Sequence, residues 1–108
     1  MAFTLQDVYD TILERQAHPA EGSYTGYLFA QGLDKMLKKV GEEAAEVLIA
    51  AKNANNTDTV GEIADLAYHL LVLMAQQGIA PADVAAVLEE RHGRSGNLKT
   101  IKTVDRNT

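Results

Sequence analysis

The sequence predicts an all-α protein, a helical bundle completed by dimerisation. Three observations lead there. Apolar residues recur at intervals of three and four in several segments, the period of one helix face. Glycine, proline and short polar runs separate those segments, as breaks between helices do. No stretch alternates apolar and polar residues over a length useful for a strand.

Thr4 suits the N-cap of a first helix, in which Leu5, Val8, Tyr9, Ile12 and Leu13 share one face. His18-Pro19-Ala20-Glu21-Gly22-Ser23 reads as a loop, and Tyr24–Gln31 as a turn or two of helix stopped near Gly32. The clearest helix follows. Leu33, Met36, Leu37, Val40, Ala44, Val47, Leu48 and Ala51 trace a continuous stripe up to Lys52. Gly41 interrupts it at a cost of about 1 kcal/mol relative to alanine, so a packing or ligand reason is expected there. Asn53–Thr57 is a polar turn with Thr57 as the expected N-cap.

The next helix is expected from Asp58 to Gln77, ending before Gly78. Val60, Ile63, Ala64, Ala67, Leu70, Leu71 and Met74 form its apolar face, widened by Leu66, Val72 and Leu73. A helix this apolar is covered on more than one side, and the expected cover for the Leu66–Met74 surface is a second copy of the chain. Pro81 suits the first turn of a last helix, carrying Val84, Val87 and Leu88 to about Glu90, with Gly93 and Gly96 ending it. Residues 1–96 read as one domain, and 97–108 as a polar tail without clear period.

Composition narrows the function. The chain has 108 residues, 46% hydrophobic and 23% charged, with no cysteine. That is one ordinary globular domain. Disulfides, thiolate metal sites and cysteine nucleophiles are excluded. The longest apolar stretch, near Ala67–Ala75, falls well short of the roughly 20 residues a bilayer span needs. The first residues lack a basic-then-apolar leader. No membrane partner and a cytoplasmic location are therefore expected. A net charge of −5 argues against nucleic acid as partner, because such binding rests on neutralising phosphates. The charge is uneven. Asn53 to Glu90 holds no Lys or Arg, while Lys35, Lys38 and Lys39 cluster in one helix. Local basic groups beside acidic ones still suit a small phosphorylated ligand, especially through a divalent metal.

The acidic residues carry the chemistry. Glu42, Glu43 and Glu46 stand in the Leu33–Lys52 helix, and Glu62 and Asp65 in the next. Spacings of three and four put each group on one side of its helix. A short turn makes the two helices antiparallel neighbours, so carboxylates from both can converge. Crowded carboxylates repel, and a hard divalent cation with oxygen ligands relieves them. The alternative is a solvated acidic face. Lys38–Glu42 and Lys39–Glu43 pairs favour it on the first helix. On the second, no Lys or Arg lies three or four residues from Glu62 or Asp65.

The pattern Glu42-Glu43-Ala44-Ala45-Glu46 followed by Glu62-Ile63-Ala64-Asp65 resembles the all-α nucleoside triphosphate pyrophosphatase superfamily, which includes MazG-type and dimeric dUTPase-type enzymes. Ser23-Tyr24-Thr25 with Leu28-Phe29, Lys39-Val40-Gly41-Glu42-Glu43 and Asp65-Leu66-Ala67-Tyr68-His69 resemble, more narrowly, the phosphoribosyl-ATP pyrophosphatase family of histidine biosynthesis. This resemblance, over roughly Leu5 to Gly96, implies a MazG-like bundle and a homodimer. It implies hydrolysis of phosphoribosyl-ATP to phosphoribosyl-AMP and pyrophosphate with Mg²⁺. It implies Glu43, Glu46, Glu62 and Asp65 as metal ligands, and Glu42 as a further ligand or the group that orients or deprotonates water.

Other candidates follow beside that set. Lys39 can reach a phosphate or pair with Glu43, and Lys35 is a second basic candidate. Tyr24 is a contact for base or ribose, or a packing residue. Tyr68 and His69 are substrate contacts or hydrogen-bonded core residues. Arg91 and Arg94, beside Gly93 and Gly96, make a basic loop that suits a phosphate or a solvated helix end. The run Asn97-Leu98-Lys99-Thr100-Ile101-Lys102 departs from the acidic-then-basic segment of the family, and no role is carried over to it. Rival functions are a housekeeping nucleoside triphosphate pyrophosphatase and a non-enzymatic helical dimerisation module.

Overall fold

The computed structural model describes residues 2–94; Gly96 and the 97–108 tail lie outside them. The described chain is helical throughout: α1 (Leu5–Ala17), α2 (Tyr24–Gln31), α3 (Leu33–Lys52), α4 (Asn56–Gln77) and α5 (Pro81–His92). Helices α3 and α4 form a long antiparallel hairpin, α1 lies along α4, α2 bridges α1 and α3, and α5 leans on α1.

Local chemistry sets each boundary. Thr4 caps α1 reciprocally: the Asp7 amide donates to Thr4 Oγ1 at 3.3 Å, and the Thr4 amide donates to Asp7 Oδ2 at 2.8 Å. Ser23 caps α2, accepting from the Gly26 amide at 3.1 Å. Gly32, at φ +90°, ends α2 and starts α3 with no residue between. That backbone conformation is open essentially to glycine alone. The α3–α4 turn differs from expectation. Asn55, not Thr57, is the N-cap: its Oδ1 accepts from the Asp58 amide at 3.1 Å. Ala54 takes a positive φ of 56°, which tightens the turn, so α4 starts two residues before the expected Asp58. Gly78 ends α4 in the left-handed region at φ +73°. The last helix runs to His92, two residues past the expected Glu90, and Gly93 caps it.

The core sits at one end of the hairpin. Tyr9, Ile12, Leu28, Met36, Leu71, Val72 and Ala75 are buried together, with Val8, Phe29, Tyr68 and Met74 packed against them. The Tyr9 hydroxyl donates to the Ile79 carbonyl at 2.7 Å, tying α1 to the end of α4. Among the described residues nothing covers the far end of the hairpin. Leu48 is 71% exposed, Val60 68%, Ile49 56% and Ile63 50%. Of the Leu66–Met74 segment, Leu71 and Val72 are buried in the core and Leu70 is exposed; the described residues leave a further apolar surface open near the α3–α4 turn. Leu5 and Leu13 also remain exposed. A Cβ at Gly41 would meet nothing within 4 Å, so no packing within the described chain demands glycine there.

Among the described residues no single helix is long and apolar enough to cross a membrane; α4 and α5 meet that measure only as a pair bent by 108°.

The cap assignment is testable. Asn55→Ala should cost about 1 kcal/mol of stability, whereas Thr57→Ala, an exposed change that removes no cap, should stay within about 0.5 kcal/mol. Urea denaturation of both variants checks this; equal losses would return the cap to Thr57.

Candidate metal and phosphate site

The hairpin register decides which carboxylates meet. Glu43 on α3 and Glu62 and Asp65 on α4 each place an oxygen within 4.8 Å of the others. Glu43 and Glu62 are half-buried and Asp65 is exposed, so the group forms a shallow, solvent-reachable cluster. Burial comes first, and the charges of Glu46, Asp65, Glu43 and Asp58 follow, in pushing the Glu62 carboxyl above its ordinary range. Glu46 is thus a near neighbour of the cluster without belonging to the tight trio. Hard oxygen donors drawn from two helices fit a divalent cation.

Glu42 faces a different way. Its carboxylate lies 3.9 Å from Lys38 Nζ and 3.7 Å from Lys39 Nζ. Lys39 also reaches Glu43 at 3.5 Å. Burial by itself would lower the Lys39 ammonium, but Tyr24, Glu42 and Glu43 outweigh it and hold Lys39 above its ordinary value. Lys39 therefore stays charged at the edge of the trio, with Tyr24 beside it. Burial pushes the Tyr24 hydroxyl up, partly offset by Lys39 and reinforced by Tyr68 and Glu43.

An aromatic wall continues from there. Tyr24 stacks on Tyr27 with centroids 6.0 Å apart and on Tyr68 at 6.3 Å. His69 is buried and hydrogen-bonded at both ring nitrogens, while the Thr25 and Tyr68 hydroxyls bond each other. Tyr24 and Tyr27 face an open groove formed with the Pro19–Ser23 loop and Gly26. Lys35 sits over the Tyr27 ring at 6.0 Å, a cation–π contact.

The structure thus draws Lys39, Glu43, Glu46, Glu62, Asp65, Tyr24, Tyr68 and His69 into one region. Arg91 and Arg94 are exposed near the end of α5, and Arg94 pairs with Glu90. Among the described residues no hydrogen bond or ion pair joins either arginine to the carboxylates. Thr25 and Tyr27 were not singled out from sequence. The Tyr24–Tyr27 spacing of three on a helix was the available signal for Tyr27; nothing local marked the Thr25 partner.

The model of the phosphoribosyl-ATP pyrophosphohydrolase family matches residues 5–92, from the first residue of α1 to the last of α5. The chain belongs to this family. It is 52% identical over 100 residues to the phosphoribosyl-ATP pyrophosphatase of Streptococcus thermophilus, covering 93% of this chain and 96% of the relative. It is 52% identical over 101 residues to the enzyme of that name from Listeria welshimeri, covering 94% and 97%. With that of Pelotomaculum thermopropionicum it shares 61% over 87 residues, covering 81% and 89%.

The crowding at Glu62 has a measurable sign. A raised carboxyl contributes stability that is fully present below the ordinary carboxylate range and is lost as pH rises through the raised folded value. Glu62→Gln should therefore raise the thermal midpoint of the metal-free protein at neutral pH and leave it nearly unchanged below roughly pH 4. Scanning calorimetry with a chelator present checks this; an unchanged midpoint at neutral pH would show that the carboxylates do not repel.

Proposed function

We propose that this chain hydrolyses phosphoribosyl-ATP to phosphoribosyl-AMP and pyrophosphate in histidine biosynthesis, with Mg²⁺ held by Glu43, Glu46, Glu62 and Asp65. The observation that carries the reading is the convergence of Glu43, Glu62 and Asp65 from two helices, in a chain matched by the family over its whole helical body. When bound, Mg²⁺ neutralises polyphosphate charge and polarises the phosphorus–oxygen bonds.

The chain's own groups supply the rest. Lys39 stays charged beside Glu43 and contacts a phosphate oxygen of the substrate. Glu42, exposed and carboxylate-bearing, orients the attacking water or takes its proton. It lies beside Lys39, which also reaches Glu43 of the trio. Tyr24 and Tyr27 offer ring faces to the nucleobase, with Lys35 behind Tyr27. Tyr68 and His69 hold this wall from α4. Arg91 and Arg94 are assigned no step.

A second copy completes the bundle in this reading. Leu48, Ile49, Val60 and Ile63 form an apolar surface that the described residues leave open, and burying such residues is worth about 1.5–3 kcal/mol for each side chain fully covered. A homodimer through this surface is the proposed solution state. Leu48→Lys, at a position exposed in the single chain, should shift the protein from dimer to monomer in sedimentation at micromolar concentration. A wild-type chain that sediments as a monomer with full activity would refute the assembly.

Asp65→Ala and Glu46→Ala should each lower Mg²⁺-dependent turnover by on the order of a hundredfold or more with helicity retained. Normal turnover in both would overturn the ligand assignment. Hydrolysis in ¹⁸O-water should label the phosphate of phosphoribosyl-AMP and leave pyrophosphate unlabelled. Label in pyrophosphate would move the attack to the β-phosphorus. Release of orthophosphate would refute the reading, and rapid dNTP hydrolysis without phosphoribosyl-ATP turnover would point to a housekeeping pyrophosphatase.

A further inference from the structure

Helix α3 carries Lys35, Lys38 and Lys39 in its first two turns. Two of them are paired. Lys38 lies 3.9 Å from Glu42, and Lys39 lies 3.7 Å from Glu42 and 3.5 Å from Glu43. Lys35 is half-buried, and among the described residues no carboxylate forms an ion pair with it. Three and four residues away stand Gln31, Gly32, Lys38 and Lys39, none of them acidic. The adjacent Asp34 is exposed and projects about 100° further round the helix. A half-buried ammonium without an acidic partner costs the fold solvation and is a ready partner for an anion.

Contacts place Lys35 relative to the carboxylate trio. Lys39 reaches Glu43 of the trio and lies beside Tyr24. Tyr24 stacks on Tyr27 at 6.0 Å, and the Lys35 ammonium lies 6.0 Å from the centre of the Tyr27 ring. The order outward is therefore carboxylates, Lys39, the tyrosine pair, Lys35. Along α3, the step from Lys35 to Glu43 is about 12 Å of helix axis. Both tyrosines line the groove, whose one carboxylate, Glu21, is exposed and makes no ion pair with Lys35.

Phosphoribosyl-ATP has a matching order. Its triphosphate stands on one ribose, the adenine follows, and a second ribose on the far side of the base ends in a phosphate monoester. An ordinary nucleoside triphosphate is anionic at one end only. A divalent cation and Lys39 serve the triphosphate and leave the monoester beyond the base without a cation. The outer end of the tyrosine pair, where Lys35 stands, supplies one.

We propose that Lys35 binds the monoester phosphate at the far end of the substrate and so makes the site prefer phosphoribosyl-ATP to ordinary nucleoside triphosphates. The inference rests on the reading that the groove and carboxylates form the pyrophosphatase site, and adds the residue that separates this substrate from other nucleotides.

The test is a cycle of two proteins and two ligands, with Mg²⁺ present. Wild type and Lys35→Met, which keeps the apolar stem and removes the charge, are each titrated calorimetrically with phosphoribosyl-AMP and with ribosyl-AMP, the analogue that lacks only the second phosphate. Neither ligand has an anhydride to hydrolyse, so the readout is binding alone. Wild type should bind phosphoribosyl-AMP about tenfold to a hundredfold more tightly, the scale of a hydrogen bond to a charged group. In Lys35→Met that preference should shrink to within about twofold, as removal of the shared contact requires, while ribosyl-AMP binds as to wild type. Lys35→Arg should restore most of the preference. In turnover, Lys35→Met should raise KM for phosphoribosyl-ATP by the same factor with kcat within about twofold, the mark of lost uniform binding. Its hydrolysis of ATP should match that of wild type.

A preference that persists in Lys35→Met, or a wild type that binds both ligands alike, would overturn the proposal. Equal weakening of both ligands would also overturn it, by reducing Lys35 to a support for Tyr27. Should Lys35→Met lose its helicity, Lys35→Gln completes the same cycle. A failed cycle beside normal Mg²⁺-dependent turnover of phosphoribosyl-ATP defeats this inference alone. A wild-type protein that hydrolyses dNTPs and leaves phosphoribosyl-ATP intact defeats the site reading and the inference with it.

Discussion

The register of α3 against α4 is the constraint on which the rest of the molecule depends. It places Glu43 opposite Glu62 and Asp65 and holds their oxygens within 4.8 Å, an arrangement that electrostatics alone would push apart. The register is imposed from both ends of the hairpin. At one end the tight turn closes on Asn55, which satisfies the Asp58 amide, with Ala54 in a positive-φ conformation. At the other, Met36 of α3 and Leu71, Val72 and Ala75 of α4 are buried in the common core. The apolar contacts that stabilise the hairpin thus offset a local repulsion that a divalent cation could relieve. Stability and function draw on the same pair of helices in opposite senses.

The small helix α2 connects that cluster to the aromatic wall and its groove. Gly32 lets α2 run straight into α3, and Leu28, fully buried, anchors it in the core. Its N-terminal residues are then held on α4 by the Tyr24–His69 and Thr25–Tyr68 hydrogen bonds. Because His69 bonds back to the Asp65 carbonyl, the aromatic wall is referenced to the same turn of α4 that carries the carboxylates. Side chains built on a rigid helix hold their geometry better than side chains on loops, and here wall and cluster share one such helix. Lys39 sits where the two meet. It is paired with Glu43 and flanked by Tyr24, and its charge is kept by its neighbours against the pull of burial.

The far half of the hairpin follows a different logic. Leu48, Ile49, Val60 and Ile63 belong to the same amphipathic pattern as the core residues, yet α1 and α2 do not extend to cover them. Sequence periodicity cannot distinguish an apolar residue buried within its own chain from one that a second copy would cover, because the two cases have the same spacing. Within Leu66–Met74 both cases occur side by side: Leu71 and Val72 are buried in the core, while Leu70 is left 39% exposed.

The sequence by itself determined the helical class, the five segments and most of their ends, since caps such as Thr4, Gly32 and Gly78 act through their immediate neighbours. It also marked the acidic residues that belong together, because i, i+3 spacing is a property of one helix and the family pattern is written in one strand of text. Only the tertiary structure decided that Glu43, Glu62 and Asp65 form the tight trio while Glu42 turns to Lys38 and Lys39. That choice depends on the rotation of α3 about its axis relative to α4, and no spacing along the chain records it. The same holds for His69. Its two hydrogen bonds join residues 4 and 45 positions away in sequence. The first is legible from helical geometry, and the second exists only because α2 folds back over α4.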